Sequence, residues 1–309
     1  LPGSQILILL SQALDVKPDY FFRESQFAVS NIEFRKKAKM GVKEVEAIKE
    51  EIRDIIERYL EIEDVWGCVP YFANPVKGML VASDDDVCEV VKKLKDAWNI
   101  GEDGILSVTD LLESKNIKVV EIKADSSFDG LSGYVNNDEN MPFVVVNKSF
   151  DVERLRFTGL HELGHLVMNL PEEMEKKDKE RLCNLFASEM LISRDIFVDV
   201  LGERRSDISL QELKVLQAVY GISVDALMFK AKTVGVISES KYTSFCIRKN
   251  KSLAFKDAVE RSSYRGVEES SRFDRLVYRA LASDMISCSK AAVLLNEPME
   301  EVKNKLELV

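Results

Sequence analysis

The spacing of apolar positions changes period along the chain, and each change marks a different kind of element. From Val42 to Leu60 the residues Val42, Val45, Ile48, Ile52, Ile55, Ile56 and Tyr59 form one stripe, with Glu, Lys and Arg elsewhere. That is the period of an amphipathic helix, here about 20 residues and roughly 30 Å long. A second helix is predicted from Asp86 to Trp98, with Val87, Val90, Val91, Leu94 and Trp98 inward. Gly101 and Gly104 break it, and a short helix follows from Val108 to Lys115. The pattern then switches to β-branched runs. Ile117–Ile122 reads as a strand, Gly130-Leu-Ser-Gly133 as a turn, Tyr134-Val135 as the start of a second strand, and Pro142–Asn147 as a third. Proline at the head of the third strand fits a sheet edge, where a peptide can add on by main-chain hydrogen bonds.

Helical spacing returns in an apolar run around Thr158–Met168 and again over Glu180–Leu191, with Pro171–Lys179 between them as a charged, solvated loop. At 100° per residue, Cys183, Ala187, Met190 and Leu191 share one face of the later helix. Glu180 and Asn184 lie along its border, and Glu189 falls nearly opposite. Residues 196–309 read as mostly helical, with Leu210–Tyr220 and Ser223–Ala231 broken at Gly221, then Phe273–Ala282, Ser287–Leu295 and Met299–Leu306. At the other end, Ile6, Leu9, Leu10, Ala13 and Leu14 recur at helical spacing, and Val16–Phe22 would start a final turn. The fold class expected is therefore α+β and mainly helical, a small three-stranded sheet packed on one apolar helix, with a helical C-terminal region.

Composition narrows the function classes. The chain has 309 residues, long enough for two or three domains, and carries a net charge of −10. An acidic chain does not hold nucleic acid by a broad basic surface, and the short cluster Arg35–Lys39 reads as a solvated helix start. Five scattered cysteines, never spaced Cys-x-x-Cys, fit reduced thiols. No apolar run approaches the roughly 20 residues of a membrane helix, and the expected compartment is the cytoplasm. With Leu at position 1, the natural chain is expected to begin upstream.

The chemistry concentrates in His161-Glu162-Leu-Gly-His165, which holds both of the chain's histidines. Two histidines four apart lie one above the other on a helix and can reach one zinc ion, leaving Glu162 beside a zinc-bound water as general base. A third protein ligand is needed. The downstream candidates are Glu172, Glu173, Glu175, Glu180 and Glu189, or the thiol of Cys183. Glu180 is preferred, because it borders the buried face of its helix and can face the histidines, with Asn184 supporting it one turn on. An oxyanion-stabilising group is also required; Tyr134 and Tyr242 are possible, and spacing assigns neither.

His161-Glu-Leu-Gly-His165 followed by Glu180-Arg-Leu-Cys-Asn184-Leu-Phe186-Ala187-Ser-Glu-Met-Leu191 resembles the ImmA/IrrE family of zinc metallopeptidases. The family pattern pairs H-E-x-G-H with E-x-x-A-N-x-F-A-x-E-x-L-x-P; here Cys183 stands for the usual Ala and Ser193 for the usual Pro. The resemblance implies a zinc site with ligands His161, His165 and Glu180 and base Glu162, acting on a protein substrate, a helix-turn-helix repressor. Residues 1–22 resemble the last helices of a repressor-like helix-turn-helix domain. The expected organisation is thus a helix-turn-helix remnant over 1–30, a linker helix over 31–69, the peptidase domain over 70–195 and a helical region over 196–309. DNA contact would come only through an upstream half. The alternative is a DNA-binding regulator whose peptidase-like domain senses or binds partners without turnover.

Overall fold

The computed structural model describes residues 3–13, 41–67 and 71–307. Val16–Phe22 and the Arg35–Lys39 cluster lie outside them. The fold is α+β and mainly helical, as the apolar pattern predicts. In chain order the elements are α1 (Ser4–Ala13), α2 (Val42–Val65), α3 (Asp84–Trp98), α4 (Val108–Ser114), β1 (Lys118–Ile122), β2 (Gly130–Tyr134), β3 (Pro142–Asn147), α5 (Val152–Val167) and α6 (Lys176–Leu191). They continue as α7 (Arg194–Leu201), α8 (Leu210–Tyr220), α9 (Val224–Thr233), α10 (Glu239–Lys251), α11 (Leu253–Glu260), α12 (Arg272–Ala282), α13 (Cys288–Leu295) and α14 (Met299–Glu307).

The sheet has strand order β1-β3-β2, with β1 parallel and β2 antiparallel to β3. Side chains alternate across a strand, so β3 sends Val144 and Val146 into the larger core with α3, α5 and α6, and Phe143 and Val145 to the opposite face. There they meet Val45, Ile48, Ile52 and Ile56 of α2. The helix expected to link two modules therefore closes the second face of the sheet. Every residue of β3 is buried.

Three local expectations are corrected. Pro142 heads the central strand, not an edge; at the first position its missing N–H is tolerated. The edge beside the His-Glu helix is β2, built from the glycine-rich stretch read as a turn. Those glycines serve close packing: a Cβ on Gly130 would lie 2.6 Å from both Thr158 Cγ2 and Val145 O, and one on Gly133 2.9 Å from the Phe143 ring. Finally, α6 begins at Lys176, so the last four residues of the expected loop are its first turn.

The C-terminal part is tied to the rest by buried charge. Arg156 of α5 is fully buried and donates to Glu268 Oε1, to Tyr264 Oη (2.8 Å) and to the carbonyls of Ile105 (2.6 Å), Leu106 and Tyr220 (both 3.3 Å). Glu268 also accepts the N–H groups of Val108 (3.0 Å) and Thr109 (2.9 Å) at the start of α4. Glu113 and Glu121 accept from Ser270 Oγ and Ser270 N–H, each at 2.6 Å, just ahead of α12. Helices α12–α14 pack on the end of α2 through Ile62, Val277, Ala280, Ala291, Leu294 and Val302.

Candidate metal centre

Helix α5 presents its chemistry because it lies between the sheet and α6. Leu160, Leu163, Leu166 and Val167 anchor it in the core, which turns His161 and His165 toward α6 and Glu162 toward β2. The two helices approach closely at Gly164, where a Cβ would sit 3.1 Å from the Phe186 ring. On α6, Cys183, Ala187, Met190 and Leu191 are buried, as the predicted face requires, Phe186 is buried beside them, and this orientation aims Glu180 at the histidines.

His161 Nε2 lies 3.2 Å from Glu180 Oε2, His165 Nε2 lies 3.7 Å from Glu180 Oε1, and the two Nε2 atoms are 3.1 Å apart. Among the described residues these three side chains form the one group of three or more His, Cys, Asp or Glu that could hold a metal ion. Hydrogen bonding to His161, and then to His165, holds the Glu180 carboxyl well below the usual carboxylate range. Both Nδ1 atoms are engaged by α6: that of His161 meets Asn184 Oδ1 at 2.9 Å, and that of His165 meets Cys183 Sγ at 3.2 Å. A neutral imidazole that donates from Nδ1 offers a lone pair at Nε2. With both Nδ1 atoms engaged by α6, the two Nε2 atoms and the Glu180 carboxylate converge as a donor set that suits a cation.

The other candidates go elsewhere. Glu189 is buried in an ion pair with Lys230 and caps the start of α7 by accepting the Arg194 N–H at 2.8 Å. Cys183 stands behind His165 and outside the Nε2 cluster, and Glu172, Glu173 and Glu175 are not part of that cluster. Glu162 is buried beside the site, and its Oε2 accepts a hydrogen bond from Ser132 Oγ of β2 at 2.7 Å. Ser132 is the residue the sequence reading missed; the available signal was that glycines at 130 and 133 would let a strand pass tightly under a helix. Tyr134 donates to the Leu166 carbonyl at 2.9 Å and shares a cleft of about 410 Å3 with Tyr71, Asn74 and His165. Tyr242 packs its ring on Phe229 and lines neither this cleft nor the metal cluster. On the other flank, a groove of about 700 Å3 runs between α6 and α9, with Phe157, Leu185, Ala226 and Phe229 as apolar walls and Glu180 and Asn184 on its side.

The peptidase-family model described as the IrrE N-terminal-like domain matches residues 112–232, from the last turn of α4 to the end of α9. The match supports the ImmA/IrrE resemblance and a metallopeptidase-like function. It takes in His161, Glu162, His165 and Glu180, while α2 and α10–α14 lie outside it. No curated protein matches the chain. No helix of the described residues is long and apolar enough to cross a membrane.

Proposed function

We propose that the protein is a zinc-dependent endopeptidase, with His161, His165 and Glu180 as ligands and Glu162 as general base. The convergence of both Nε2 atoms on the Glu180 carboxylate carries this reading. Zinc held there would polarise the scissile carbonyl and acidify a water. The chain's own residues do the rest. Glu162 takes the proton of the attacking water and returns it to the leaving amine. Ser132 holds Glu162 in place, and the clefts flanking the cluster seat the polypeptide. By resemblance to the ImmA/IrrE family the substrate is a helix-turn-helix repressor, whose loss would release stress or mobile-element genes. The proposed peptidase unit spans about residues 70–195, and the protein works in the cytoplasm.

Elemental analysis is the decisive test. The purified protein should carry about one zinc per chain, and His161→Ala and Glu180→Ala should each lose it. Glu162→Gln should keep the metal while failing to cut helix-turn-helix proteins encoded nearby. Absence of bound metal after zinc addition under reducing conditions would refute the reading.

A further inference from the structure

We propose that Cys183 is a positioning residue for His165: its sulfur accepts the Nδ1–H of the imidazole and so presents Nε2 unprotonated to the metal. This rests on the zinc reading above for its consequence, but not for its geometry. Cys183 Sγ is 3.2 Å from Nδ1, Cys183 has no exposed surface, and the His165 side chain is 4% exposed. The pair is thus screened from bulk solvent. A neutral imidazole carries one proton, and the partner of one nitrogen decides which atom holds it. With Sγ behind Nδ1 as acceptor, the proton stays on Nδ1 and the lone pair on Nε2 faces His161 and Glu180.

The choice of sulfur follows from the packing. The exposed side of the site gives His161 an amide oxygen, Asn184 Oδ1 at 2.9 Å. The interior side lies where α5 and α6 press together at Gly164 and Phe186. A carboxylate there would be a buried charge, which is expensive to desolvate. A thiol is small, tolerates apolar surroundings and still accepts weakly. One helix thus supplies residues 180, 183 and 184 at spacings that share a face, and Cys183, where the family pattern has Ala, completes the support of the second imidazole.

Metal-ligand partners of this kind are worth roughly ten- to a hundredfold in metal affinity. Because sulfur accepts weakly, Cys183→Ala should loosen zinc by about tenfold, measured on the full chain by competition with a chromophoric chelator under reducing conditions. Cys183→Ser keeps an acceptor and should stay within about threefold of the parent. A second readout needs no metal. The chain has only two histidines, so imidazole nitrogen-15 spectra of the zinc-free protein resolve each tautomer. His165 should be Nδ1-protonated in the parent and in Cys183→Ser, and shift toward the Nε2-protonated form in Cys183→Ala. Parent-like zinc affinity and tautomer in Cys183→Ala would overturn the proposal, as would a loss in Cys183→Ser equal to that in Cys183→Ala. If the parent binds no zinc, the metal reading falls, and the zinc-free tautomers alone decide whether Cys183 holds His165.

Discussion

Replacing Arg156 with methionine should destabilise the fold by about 4 kcal/mol. The fully buried guanidinium makes five hydrogen bonds: to Glu268, Tyr264 and three carbonyls. Methionine fills much of the same volume, so the effect is electrostatic. It leaves Glu268 as a carboxylate inside the protein, still bonded to the Val108 and Thr109 N–H groups but without its cation. Breaking a buried pair from one side costs about 3–5 kcal/mol. Against a total stability of about 5–15 kcal/mol, that is a large fraction. Urea unfolding followed by circular dichroism should show a midpoint lowered by at most about 1.3 M, since m for a chain of this size is at least about 3 kcal/mol/M. Glu268→Gln in the same chain removes the stranded charge, so the double variant should be more stable than the sum of the single losses predicts, by about 1–3 kcal/mol. A loss under about 1 kcal/mol for Arg156→Met, or strict additivity, would refute the view that this pair fastens α5 to the segment ahead of α12.

Gly130→Ala should lower stability by about 1–3 kcal/mol through overpacking against Thr158 and Val145, whereas Gly101→Ala, whose Cβ would meet only Asp103 N at 3.9 Å, should stay within about 0.5 kcal/mol; denaturant midpoints compare the two. Ser132→Ala should retain zinc by elemental analysis yet cut substrate about tenfold more slowly, a fraction of the 10²–10⁴ that a general base supplies. Burial raises the carboxyl pKa of both Glu113 and Glu121 above the ordinary value of 4.5. The folded state then binds more protons than the unfolded state just above that value, so these groups' contribution is fully present below about pH 4.5 and is lost as pH rises through their raised values. Glu113→Gln should flatten that part of a stability–pH curve measured by urea titration.

Much of this architecture is legible in periodicity because burial is one-sided. The α2 stripe and the inward face of α3 are read directly from the chain, and the structure buries Val45, Ile48, Ile52, Val87, Val90 and Leu94 as that reading demands. The cluster His161, His165 and Glu180 is legible because two helical spacings and one border position place it. Strand β2 is not, because glycine favours turns in isolation, and only its tertiary neighbours, Thr158 and Phe143, explain Gly130 and Gly133. Ser132 was hidden with it. Pro142 was misplaced because sequence shows that a proline lacks a donor, not which side of the strand needs one. Helices α10 and α11 went unread for the converse reason: their apolar residues are mostly left at least partly exposed, and just Phe245 and Val259 of the pair are buried.

The hairpin of α5 and α6 has a consequence for the order in which the molecule is assembled. All three proposed ligands and both imidazole supports fall between residues 161 and 184, so closing them together requires only a short loop. The partner of the base, Ser132, arrives on a strand that must first find its place on β3. That strand pair lies ahead of the hairpin in the chain and is itself closed by a short connection, so a nascent chain exposes the Ser132 strand before the proposed ligands. The sheet can thus be in place when α5 and α6 close on each other, and a cation held by the proposed ligands would then act as a clasp on the last-formed part of the site.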